Sequence, residues 1–221
     1  VSQEDSTNTS LTGHNYLASQ SGIAIDNGSS TTGAFNAYTS RVKNAGGTQQ
    51  SASLAFKSTV SGYAPEIHLT QRTGSGSQAS RLTINSSGGF NFNNGELIEK
   101  CYINSTAWSS TGTVNLDNGM VQYNSANLAG TTNTLDLISS AGINTSMATG
   151  DIMSVTCITA VNATTAYVNN ITIDGIAATE SWVGGDAPSD GGDSGVDTYA
   201  FNIIKTADAT FVVIANHVKT S

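Results

Sequence analysis

Tyr167-Val168-Asn169-Asn170-Ile171-Thr172-Ile173-Asp174-Gly175 is the stretch on which the fold class rests. Ile171, Thr172 and Ile173 are β-branched and suit a pleated, half-buried ladder, and the Asp-Gly pair behind them suits the positive φ angles of a tight hairpin turn. A strand over 167–173 closed by a turn is expected. Asp117-Asn118-Gly119 repeats the hairpin signal upstream. Between such turns the apolar runs stay short, and none has the length and 3.6-residue period of a helix. The chain therefore reads as all-β.

Working outward, strands are expected near 97–103, 114–116, 120–123, 135–138, 152–158, 167–173, 199–204 and 211–214, enough for a two-sheet sandwich or jelly roll. Its core is expected to take Leu135, Leu137, Ile152, Val155, Ile171, Ile173, Phe201, Ile203, Phe211 and Val213. No 20- to 50-residue period repeats, which argues against a solenoid. Ahead of this domain, strands near 16–25, 34–42, 53–59, 66–70 and 81–85 alternate sparse apolar side chains, Leu54, Phe56, Ile67, Leu69, Leu82 and Ile84, with Ser and Thr. Loops such as Asp26-Asn27-Gly28 and Gly74-Ser75-Gly76 join them. One thin sheet buries little by itself, so residues 1–88 are expected to form an extended β-rich assembly region. The turn-rich run at 86–95, around Phe90 and Phe92, separates it from a sandwich domain over 89–221.

Ser (29), Thr (29), Asn (21) and Gly (23) make up 102 of the 221 residues, whereas charged residues are only 11%. The surface is solvated by neutral groups, and a disordered chain would instead combine high charge with few apolar clusters. Sixteen acidic and eight basic residues give a formal charge of −8. With no cluster of Lys and Arg, a nucleic-acid backbone is excluded as partner. No window approaches the ~18 apolar residues of a membrane span. The chain opens Val1-Ser2-Gln3 with no basic segment leading into an apolar run, so no secretory leader is read there. Seven Asn-x-Ser/Thr sequons, at Asn8, Asn27, Asn85, Asn104, Asn144, Asn162 and Asn170, are close to what this composition produces by chance.

Candidate chemistry is sparse. Asp186, Asp190, Asp193 and Asp197 place four carboxylates within twelve residues, hard oxygen donors of the kind that hold Ca²⁺, although the spacing is not that of an EF-hand. A solvated acidic loop is the alternative. His14, His68 and His217 lack the spacing of a transition-metal site. Cys101 and Cys157 lie in apolar runs and are expected to be buried, reduced thiols. Trp108, Trp182, Tyr102, Tyr123, Tyr167 and Tyr199 are placed either to pack the sandwich or to stack on sugar rings.

Gly192-Asp193-Ser194-Gly195 resembles the nucleophile segment of chymotrypsin-like serine proteases, with His68 upstream in the right order. Val196 stands where that family has another Gly, and Glu66-Ile67-His68-Leu69 replaces the surroundings of its base. No catalytic residue is assigned, and no cofactor is expected.

A wider resemblance covers about residues 88–221. Gly88-Gly89-Phe90-Asn91-Phe92-Asn93-Asn94-Gly95-Glu96-Leu97-Ile98-Glu99-Lys100, Asn115-Leu116-Asp117-Asn118-Gly119-Met120-Val121, Ile171-Thr172-Ile173-Asp174-Gly175, Ser181-Trp182-Val183-Gly184-Gly185-Asp186-Ala187-Pro188-Ser189 and Asp197-Thr198-Tyr199-Ala200-Phe201-Asn202-Ile203-Ile204-Lys205 resemble a β-module of structural proteins from marine, cyanophage-like tailed phages. Leu54-Ala55-Phe56-Lys57 and Arg81-Leu82-Thr83-Ile84-Asn85-Ser86-Ser87-Gly88 are similar to β-rich fibre segments of such proteins. The resemblance implies a non-enzymatic virion protein, assembled in the host bacterial cytoplasm as a fibre or surface-appendage subunit that contacts the host. A capsid decoration protein, or a carbohydrate-binding or adhesin module, are the alternatives. The implied partners are copies of the chain, as a trimer by analogy with fibres, other virion proteins and a host surface glycan. Membrane insertion and nucleic-acid binding are not implied.

Overall fold

The structure, a computed structural model, describes residues 3–4, 22–23, 35–59, 65–74, 77–93 and 96–220. The expected strand at 16–25 lies outside them apart from Gly22–Ile23, as do the Asp26-Asn27-Gly28 turn, Ser75-Gly76 and His14. Among the described residues strand accounts for 62% and helix for 4%, and the fold is all-β. The chain divides into two compact units, Val1–Leu97 and Ile98–Ser221.

In the first unit, β1 (Gln3–Glu4) pairs with β2 (Gly22–Ile23). Five longer strands, β3 (Phe35–Lys43), β4 (Gln49–Lys57), β5 (Glu66–Gly74), β6 (Ser77–Ile84) and β7 (Phe90–Phe92), form an antiparallel meander in chain order. Side-chain acceptors shape its tight turns: Asn44 Oδ1 accepts from the Thr48 N–H at 2.9 Å, and Asn85 Oδ1 from Ser87 and Gly89 at 3.1 and 2.7 Å. Phe90 and Phe92, read in the sequence as part of a hinge, thus follow a hairpin turn and complete the sheet.

The second unit is a two-sheet sandwich. One sheet has the order β15 (Thr179–Trp182), β17 (Thr210–Lys219), β16 (Val196–Ala207), β12 (Ile152–Ala160), β10 (Val121–Asn127), β8 (Cys101–Asn104). The other runs β14 (Ile176–Ala177), β13 (Tyr167–Ile173), β11 (Ala129–Ile138), β9 (Ser109–Asn115). From β8 to β13 the chain alternates between the sheets, and each strand lies parallel to the one two before it. This is a coil of three turns, which corrects the reading against a solenoid. Its successive strands in the larger sheet begin at 101, 121 and 152, so the turns differ in length and leave no sequence period.

The two hairpin signals separate in this light. Asp174 and Gly175 have φ of 51° and 75°, as a tight hairpin requires, and join β13 to β14. Asp117-Asn118-Gly119 makes no hairpin, because β9 and β10 belong to different sheets. A 3₁₀ turn at Leu116–Asn118, capped by Asn115 Oδ1 on the Asp117 N–H, carries the chain across instead.

Nine of the ten expected core residues are fully buried, and both sheets contribute to one core. Ile152 is the exception at 63% exposed. Strand β12 points Val155, Cys157 and Thr159 inward, so the even-numbered Ile152 faces out. Cys101 is exposed, correcting the expectation of two buried thiols, whereas Cys157 is buried; both are free thiols. Lys205 is buried near one end of the sandwich, where its ammonium donates to the Asn144 and Met147 carbonyls at the end of the short helix α1 (Ile143–Ser146).

Candidate functional site

The register of the first unit puts its large side chains into two rows. Tyr38, Leu54, Leu69, Leu82 and Phe92 stand opposite one another across β3 to β7, and Asn36, Phe56, Ile67, Ile84 and Phe90 form the adjacent row. Nine of the ten are apolar or aromatic and none is charged. Six of them are exposed: Tyr38 at 42%, Leu54 at 36%, Phe56 at 37%, Leu69 at 47%, Phe90 at 65% and Phe92 at 57%. An open apolar area of several hundred Å² marks a binding surface.

The reverse face of the same sheet is mostly polar, with the exposed Phe35 at one end of β3. His68 Nδ1 lies 2.7 Å from Ser80 Oγ and 3.3 Å from Thr83 Oγ1, and its Nε2 lies 3.1 Å from Glu66 Oε2. Lys57 donates to that carboxylate oxygen at 3.3 Å, and Asn93 donates to Thr83 Oγ1 at 2.7 Å. The bonds from His68 and then Lys57 hold the Glu66 carboxyl below its ordinary range. Ser80, His68 and Glu66 have the connectivity of nucleophile, base and orienting acid. Acyl transfer also needs donors aimed at a developing oxyanion, and the side-chain amide beside the cluster, Asn93, donates to Thr83. The cluster instead ties β4 to β7 together on the face behind the apolar rows. No sequence spacing announces it, because it arises from cross-strand register.

The acidic loop of the second unit does not gather its carboxylates. Asp186, Asp190 and Asp193 are exposed, and Asp190 accepts from Lys219 Nζ at 2.8 Å. Asp197 is fully buried: Gly192 donates its N–H to Asp197 Oδ2 at 2.9 Å, and His217 Nε2 lies 3.0 Å from the same oxygen. Its carboxylate is thus engaged within the fold, whereas the other three face solvent. Among the described residues no three His, Cys, Asp or Glu side chains converge as metal ligands. Gly191 is required beside this carboxylate, since a Cβ there would run into the Ala166 carbonyl. Ser194 is an exposed loop residue with its hydroxyl directed to Asp193, and the ring nitrogens of His68 are engaged by Ser80 and Glu66.

Asp197 belongs to a polar inner row, Lys219, Asp197, Thr159, Asn124 and Asn104. With its amide oriented to satisfy its bonds, Asn124 donates to the Asn104 and Thr106 carbonyls and accepts from the Trp108 N–H, fixing the crossing from β8 to β9. The aromatics form no sugar platform in common: Trp108 and Tyr199 are core residues, and Tyr199 accepts from the Val168 N–H at 3.0 Å, joining the two sheets. Trp182 is half-buried, its indole donating to Glu180 at 2.7 Å, and Tyr102 remains 40% exposed. The outer face of the larger sheet carries the rows Val218, Thr198, Ile158, Tyr123, Ile103 and Asn216, Ala200, Thr156, Val121, Cys101, again without a charge. No helix among the described residues is long and apolar enough to cross a membrane.

No family model matches the sequence, and neither a curated protein nor a solved structure shows significant similarity to it.

Proposed function

We propose that the chain is a non-enzymatic structural subunit of a tailed-phage virion, a fibre or surface-appendage component that assembles with copies of itself and with other virion proteins. The observation that carries the assembly role is the exposed pair of apolar rows on the first unit. An isolated chain holding nine apolar side chains on one open sheet face gains by covering them, and repetition of one contact about a symmetry axis covers every copy alike. The low charge of the outer sheet face in the second unit supports the same reading, since charges buried between subunits must be paired. The placement in a virion rests on the resemblance of residues 88–221 to phage β-modules. The net charge of −8 weighs against nucleic acid as a partner, since the phosphate backbone is bound by clustered cations.

Mass spectrometry of purified particles from a phage that encodes the chain, followed by assignment of its copies in a density map, tests this. The chain is expected at fixed stoichiometry on an appendage. Its absence from particles overturns the reading, and a position on the capsid lattice replaces the appendage with a decoration role. Of the aromatics singled out for sugar stacking, Tyr102 is exposed, Trp182, Tyr123 and Tyr167 are half-buried and Trp108 and Tyr199 are buried, so a host glycan contact would rest on Tyr102 first.

A further inference from the structure

We infer that the two apolar rows of the first unit are a homotypic interface, covered by the same rows of another copy of the chain. The inference rests on the assembly reading above and names its surface and partner. Three observations select a second copy over an unlike partner.

The first is the area. With aromatic and aliphatic side chains exposed to the extents given, the rows offer on the order of 600 Å² per copy, so two copies meeting face to face bury about 1,200 Å², the lower bound of a specific interface. A smaller apolar partner segment would leave part of the surface wet.

The second is the placement of charge. The first unit carries five cations, Arg41, Lys43, Lys57, Arg72 and Arg81, against five acids, Glu4, Asp5, Asp26, Glu66 and Glu96. Strand alternation turns Arg41, Lys43 and Lys57 to the face opposite Tyr38, Leu54 and Phe56, and Glu66 and Arg72 to the face opposite Ile67 and Leu69. Arg81 sits at the irregularity in β6 with its Nε on Gln71 Oε1 at 3.3 Å, and Gln71 shares the face of Ile67 and Leu69, so this guanidinium lies on the apolar face at the margin of the rows. Like faces therefore meet with Arg81 as the charge at their margin, while Arg41, Lys43, Lys57, Glu66 and Arg72 are turned away from the contact.

The third is that the reverse face is already satisfied by its own bonds from Lys57 through Glu66 and His68 to Ser80 and by Asn93 on Thr83. The apolar rows are the face of this sheet whose burial remains to be completed, and flat sheets stack on one another about 10 Å apart with side chains interleaved.

Charge substitution at the centre of the rows tests the inference on the full chain. Leu69→Lys and Leu69→Glu are made separately, with Phe92→Lys and Phe92→Glu as an outer-strand pair, and folding is checked by circular dichroism and thermal melting. Association is followed by native mass spectrometry and sedimentation. Each single variant is expected to weaken self-association at least 100-fold, and an equimolar Lys/Glu mixture at the same position to recover most of it, because only a homotypic contact brings the two substitutions together. Loss in both variants without recovery in either mixture shows that a different surface covers the rows and overturns the inference. Unchanged association, or a wild-type chain that stays monomeric at tens of micromolar, overturns it as well. If the Leu69 pair does not fold, the Phe92 pair decides. A chain that associates through the rows yet is missing from particles leaves the inference standing and removes the virion role.

Discussion

The His217 imidazole lies flat on the Tyr199 ring, with centroids 4.5 Å apart and planes within 5°. The stack holds Nε2 toward Asp197 while the Tyr199 hydroxyl reaches the opposite sheet at Val168, so a single aromatic pair links the buried carboxylate, the β16–β17 hairpin and β13.

Asp197→Asn is expected to cost on the order of 3 kcal/mol in denaturant unfolding, because one carboxylate serves both the Gly192 N–H and His217. His217→Phe keeps the stack but leaves the buried Asp197 carboxylate with the Gly192 N–H alone, and is expected to cost at least as much. Calcium and chelator are expected to leave the melting temperature of the wild type alike. A rise of several degrees with millimolar Ca²⁺ would restore the acidic loop as a metal site.

Phe201→Ala is expected to destabilise by about 3 to 5 kcal/mol, and Ile152→Ala by less than about 1 kcal/mol. The two residues sit on adjacent strands of one sheet, but Phe201 is 1% and Ile152 63% exposed. Comparable losses would mean that β12 is one residue out of register.

Maleimide is expected to label the native chain once, at Cys101, and the unfolded chain twice. Burial pushes the Cys157 thiol up to about 12, so neither access nor thiolate is available there. Rapid native labelling of Cys157 would show that the core opens easily.

The Glu66 carboxyl is expected to titrate below an unperturbed glutamate in a carbon-detected NMR titration. A lowered folded value stabilises the fold above the unfolded value, and that contribution disappears as pH falls through the folded one. His68→Phe should raise the midpoint more than Lys57→Met, since the His68 bond is the larger cause. A midpoint indifferent to both would mean that the row of bonds is not held in solution.

Period-two alternation in the sequence located Phe201, Ile203, Leu135 and Leu137 in the core because a strand's inward face is a local property. It misplaced Ile152, which begins its strand where pattern and register part company. The coil of β8 to β13 was illegible for a different reason. Which strand lies beside which is decided by connections that cross between sheets, and those vary in length. Leu54, Phe56, Ile67, Leu69, Leu82 and Ile84 were readable as one greasy face, but Phe90 and Phe92 looked like hinge residues until Asn85 was seen to close the turn before them. The Ser80, His68 and Glu66 cluster and the Asp197 to His217 contact join residues 2 to 20 positions apart through cross-strand pairing, and no spacing rule encodes them.

The coiled winding also orders events during synthesis. Each strand from β10 to β13 is laid beside one the ribosome has already delivered, so that much of the sandwich can grow as the chain emerges. β15 breaks this order: its ladder partner is β17, which is translated later. The segment holding Trp182 must wait for the β16–β17 hairpin to arrive, and a stall between them leaves the edge of β12 unpaired and open to whatever else is nascent on the same message.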